Sequence, residues 1–129
     1  MFLAFRAAGA RDWHSNLAIA LGHRGAQHRL QFHPVFPKAV LKSSYTAREA
    51  DDIANLAFIG GKTNRQISDK SPSQYFPGLL KKSGLPPFDA QCIPTNAELL
   101  GVENYKNFLL ERRRLIAQRL NTFLGVTPP

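Results

Sequence analysis

Four residues have the types and the order to do chemistry together: His33, Lys38, Asn55 and Asn64. His33 closes an apolar run, Asn55 opens another, and Asn64 stands near the start of a helical pattern. An imidazole nitrogen from His33 and an amide oxygen from Asn64 make a sparse ligand pair. A divalent cation held between them keeps several waters and takes further ligands from a substrate phosphate. Phosphodiester hydrolysis uses such an arrangement, in which a metal stabilises charge on the phosphate and leaving oxygen while a nearby base activates water. The bland alternative is a structural histidine at a strand end, and His14, His23 and His28 have no spacing that brings them to the same place.

The elements that must position these residues are short. Leu17 to Leu21 and His28 to Phe32 are β-compatible runs separated by "GHRGAQ", whose glycines suit a hairpin that delivers His33 to a strand end. Pro34 and Pro37 cannot donate to a ladder, so an irregular turn follows before a short helix around Lys38 to Lys42. Leu56 to Ile59 reads as a strand, broken by Gly60 and Gly61. Four helix starts carry a reciprocal capping pattern: Thr46 with Glu49, Thr63 with Gln66, Ser71 with Gln74, and Thr95 with Glu98. Pro72 suits the first position of the third helix, whereas "SGLPPFDAQCIP" is too proline-rich for a long regular element. The longest helix is expected from Glu103 to Leu124, with an apolar stripe of Tyr105, Phe108, Leu109, Ile116, Leu120, Phe123 and Leu124. Arg112, Arg113, Arg114 and Arg119 read as lying mainly off that stripe, on a solvated face or against nucleic acid. Gly125 ends the helix before a "VTPP" tail.

With 129 residues the chain suits one domain and one core. No apolar run reaches the roughly 20 residues needed to span a bilayer. Seventeen Lys and Arg against nine Asp and Glu give a formal charge of +8, attractive to nucleic acid, acidic proteins or anionic surfaces. The single cysteine, Cys92, excludes an internal disulfide and a Cys-based zinc site, suits a reducing compartment, and reads as a small buried apolar residue. Met1 to Arg11, with two arginines and no acid, reads as the end of a helix cut from a longer protein, or as a transit peptide.

"FHPVFPKAVLK" followed by "DDIANLAFIGGKTNRQISDKSPSQYF" resembles the HNH nuclease domain at the C-terminal end of GmrSD-type modification-dependent restriction enzymes and related phage-defence proteins. Their pattern runs approximately His-His-Ile-Phe-Pro-Lys, an Asn-Leu strand, Lys-x-Asn-x-x-Ile and a Ser-Pro-x-x-Tyr helix. The likeness extends to "ARDWHSNLAI" before the motif and "FLLERRRLIAQRLNTFL" after it. It implies an α+β fold, a ββα-metal core surrounded by helices with a long C-terminal helix, with Mg²⁺ or Mn²⁺ as cofactor and DNA as substrate. By position His33 matches the first histidine, a metal ligand, and Asn64 the asparagine that completes the metal site. Asn55 matches the central asparagine that orients the catalytic base or its loop. Lys38, Lys62 and Arg65 fall where basic residues neutralise phosphate. The resemblance also implies a prokaryotic cytoplasmic restriction system, and a nucleotide-hydrolysing, DNA-sensing N-terminal domain in the parent protein. One departure matters: Pro34 stands where the pattern has its general-base histidine. Proline accepts no proton, so the expected outcome is an endonuclease or nickase impaired in water activation, or a DNA-binding module that keeps the fold without catalysis.

Overall fold

A computed structural model describes residues 30–125, apart from the side chains of residues 30, 31, 60–62 and 64. Met1 to Arg11, Leu17 to Leu21, "GHRGAQ", His14, His23, His28 and the "VTPP" tail therefore lie outside the described residues. The fold is mixed α+β. Strand β1 (Leu30–Pro34) leads through helices α1 (Lys38–Leu41) and α2 (Ala47–Ala50) and a 3₁₀ turn (Ile53–Asn55) to strand β2 (Leu56–Gly60). Then come α3 (Gly61–Ile67), α4 (Pro72–Ser83), α5 (Pro86–Ala90), two 3₁₀ turns and the long α6 (Tyr105–Phe123). No helix among the described residues is long and apolar enough to cross a membrane.

The strands pair antiparallel in one unbroken register, Leu30 opposite Gly60 through Pro34 opposite Leu56. The ladder thus joins β1 to a strand reached through residues 35–55 rather than across a tight turn. Pro34 occupies the last pair, where a missing N–H costs least. Phe32 and Phe58 face each other with ring centroids 4.1 Å apart, so their aromatic contact reinforces the pairing.

Local chemistry explains two of the helix starts. At α2 the capping box is complete, with Glu49 N donating to Thr46 Oγ1 at 3.1 Å and Thr46 N donating to Glu49 Oε1 at 2.9 Å. At α4, Ser71 N donates to Gln74 Oε1 at 2.9 Å and Pro72 fills the first turn. Two expected caps fail. Helix α3 begins at Gly61, directly after β2, so Thr63 is an internal, buried residue rather than a cap. Asn96 rather than Thr95 precedes the turn Ala97–Leu99. The proline-rich stretch forms only the five-residue α5, with its prolines in the first turn.

The core gathers between the strand pair, α4 and the first half of α6. Phe36 is wholly buried at its centre and meets Tyr105 and Phe108 edge-on, with centroids 5.1 and 5.0 Å away. Phe76 and Phe88 pack 4.9 Å apart beside Leu79 and Ile93. Helix α6 departs from expectation at the C-terminal end of its stripe. Tyr105, Phe108 and Leu109 are buried, but Phe123 is 45% exposed and Leu124 68% exposed. Arg112 is wholly buried, which corrects the expectation of a solvated arginine.

Candidate functional site

His33 is the fourth residue of β1 and pairs with Ala57. It is half-buried, and that burial pushes its imidazole below the usual value of 6.5. The neutral ring, which is the metal-binding form, is therefore favoured over a wider pH range. The continuous register contains no bulge, with His33 opposite Ala57 and Pro34 opposite Leu56. Asn64 lies in the middle of α3, a helix that packs against both strands, and its side chain is among those not described.

Asn55 is wholly buried and does a different job. Its Oδ1 accepts from Phe36 N at 2.8 Å, while Nδ2 donates to Phe36 O at 3.0 Å and Ala50 O at 3.1 Å. Its backbone carbonyl also accepts from Val35 N at 2.6 Å. An amide so occupied reaches no substrate; it clasps the turn that leaves β1 just after His33 and Pro34. Tyr75 holds the same turn, donating its hydroxyl to Val35 O at 2.6 Å, and burial raises that hydroxyl's pKa well above 10.0.

Behind this clasp, two side chains bind the outer edge of β2. Gln91, wholly buried, accepts from Phe58 N and donates to Phe58 O, each at 2.8 Å, much as a neighbouring strand would. Arg112 Nη1 donates to Ala54 O at 2.9 Å and to Leu56 O, the carbonyls on either side of Asn55. Its Nη2 donates to Gln91 O at 3.2 Å. The guanidinium binds these three carbonyls, and burial lowers its pKa to about 10. Sequence reading missed both residues. Arg112 had a signal, since it follows Phe108 by four and precedes Ile116 by four and so falls on the apolar stripe. Gln91 had none.

The basic candidates differ in their engagement. Lys38 Nζ lies 2.7 Å from Asp51 Oδ1 in an exposed pair. Arg65 is exposed on α3, and Lys62 lies on the same helix with its side chain undescribed. Cys92 is buried, with Sγ 3.5 Å from Leu115 O and a thiol pKa raised by burial, in line with the expectation of a small core residue.

Among the described residues no group of three or more His, Cys, Asp and Glu side chains gathers to hold a metal. The donor chemistry at His33 still suits an ion that is mostly hydrated: one neutral imidazole, with an asparagine on the adjoining helix, leaves positions for water and for phosphate oxygen. The chain matches no model of a known protein family, no curated protein and no solved structure.

Proposed function

We propose that this chain is an HNH-type, metal-dependent DNA endonuclease or nickase domain of a prokaryotic defence system, impaired where Pro34 replaces the general base. One observation carries the reading. An antiparallel strand pair runs straight into a helix, with His33 on the first strand and Asn64 on that helix. Two potential ligands so far apart in sequence thereby belong to one compact ββα unit. His33 and Asn64 would hold Mg²⁺ or Mn²⁺, which when bound supplies Lewis-acid stabilisation of charge on the phosphate. Lys62 and Arg65, on the same helix, neutralise the DNA backbone, and Lys38 joins them once its exposed pair with Asp51 opens. Asn55 is a positioning residue, fixing the turn beyond position 34.

Water activation is the weak step, because position 34 offers no proton acceptor. The test is conversion of supercoiled plasmid to nicked circles with Mg²⁺ or Mn²⁺. Slow nicking above background, lost in Asn64→Ala, is the expected result. Pro34 also favours a second reading, a DNA-binding module without catalysis; cation-independent DNA binding, with no nicking by this chain or by Pro34→His, selects it. In either case the partner is DNA, and the cytoplasmic setting and the nucleotide-hydrolysing, DNA-sensing N-terminal domain of a parent protein belong to the same proposal.

A further inference from the structure

Among the described residues the cations differ in whether a carboxylate meets them. On α1, α2 and α6 four of them meet carboxylates, Lys38 with Asp51, Lys106 with Glu49, Arg113 with Asp52 and Arg114 with Glu111, while Arg112 and Arg119 donate to backbone carbonyls and Arg48 is in none of these pairs. Each pair cancels most of its own field at a distance, however little it adds to stability. Along residues 61–83 the sequence places Lys62, Arg65, Lys70, Lys81 and Lys82 against a single acid, Asp69. Arg65, Lys70 and Lys81 are exposed there, and no carboxylate of the described residues pairs with any of the three.

The same face is shaped as well as charged. Between α3 and α4 lies an open cleft of about 330 Å³ whose walls include Gln66, Ile67, Lys70, Gln74 and Leu79. Amide side chains and a lysine on its walls suit sugar and phosphate groups, while Ile67 and Leu79 give it a fixed apolar floor. Helix α3 forms one wall and also carries Asn64. From Pro72 to Lys81 the helix advances about 14 Å, roughly four steps along one DNA strand at 3.4 Å each.

We propose that duplex DNA lies along the α3–α4 face, its backbone neutralised by Arg65, Lys70 and Lys81, and that the carboxylate-paired Arg113 and Arg114 of α6 take no part in holding it. The placement rests on the DNA reading above and adds to it the residues and the face. A cation already balanced by a carboxylate must give up that pair to meet a phosphate, so it adds less to counterion release than Arg65, Lys70 and Lys81 do.

Two double variants decide it, each removing two positive charges: Lys70→Ala with Lys81→Ala, and Arg113→Ala with Arg114→Ala. Fluorescence anisotropy of a labelled duplex, titrated without divalent metal between 50 and 200 mM salt, gives the slope of log K against log salt. The lysine variant should lose about two from the magnitude of that slope, and the arginine variant should keep the parent value. Equal losses in the two variants, or a larger loss from the arginines, overturn the placement while leaving DNA binding intact. A parent chain that binds no duplex overturns the DNA reading itself and this placement with it. Circular dichroism of both variants excludes misfolding as the source of a lost slope.

Discussion

The two edges of β2 are satisfied in different ways. Toward β1 it has a backbone ladder, which any sequence of suitable pattern can make. Away from β1 it has Gln91 and Arg112, whose polar atoms meet the carbonyls of Ala54 and Leu56 and both peptide groups of Phe58. The first edge carries His33, a half-buried ring whose pKa burial lowers. On the second, Gln91 and Arg112 are wholly buried. Candidate chemistry lies where the strand is held by generic pairing, and the specific, wholly buried hydrogen bonds lie behind it. A site that must hold charge to within a fraction of an ångström depends on such a rigid backing.

The largest expected effect falls on the ladder edge. If Pro34 is the lesion, Pro34→His raises the metal-dependent nicking rate by about 100-fold to 10,000-fold. Plasmid nicking measures this, and a rate unchanged from the parent chain would show that the open edge lacks more than a base. On the sealed edge, Arg112→Ala leaves two buried carbonyls and the partly buried one of Leu56 without their donor, and should cost about 3 kcal/mol or more in urea unfolding. Arg113→Ala, next along the helix but exposed and paired with Asp52, should cost less than about 1 kcal/mol. Similar losses for the two arginines would erase the distinction between the edges.

Asn55→Ala strands Phe36 N–H, Phe36 O and Ala50 O, and should cost about 2 kcal/mol, with faster amide exchange at Val35 and Phe36. Exchange that accelerated equally throughout α4 would instead mean that the clasp acts on the whole core. The smallest effect concerns Tyr75, the other tie to the same turn. Its folded pKa is raised above the unfolded 10.0, so the folded state keeps a proton that the unfolded chain releases. The associated stability is present below pH 10 and lost as pH rises above it. Tyr75→Phe should therefore flatten the alkaline fall in unfolding free energy, and an unchanged slope would contradict the assigned burial.

Where the sequence was legible, the signal was local. Thr46 and Glu49 fold into a capping box because three residues of helix bring them together whatever else the chain does. Ser71, Gln74 and Pro72 start α4 for the same reason. Leu56 to Ile59 reads as a strand from its apolar run, and Tyr105, Phe108 and Leu109 bury their side chains as their spacing demands. Local signals also misled: Thr63 and Gln66 have the capping spacing, but Gly61 is already helical, and the buried Thr63 belongs to the packed interior of α3.

By itself, then, the sequence determined that strands and short helices precede a long C-terminal helix, that His33 lies at the end of one strand and that Asn55 stands just before the next, since these follow from residue type and from spacings of two, three and four. Only the tertiary structure decided that β1 takes β2 as its partner, that Asn55 faces inward with its amide fully occupied, and that Arg112 and Gln91 seal the far edge of β2. The physical reason is the range of the interactions. A buried polar side chain is set by acceptors that a distant segment leaves unpaired, and those exist only once the strands have paired and the helix has packed.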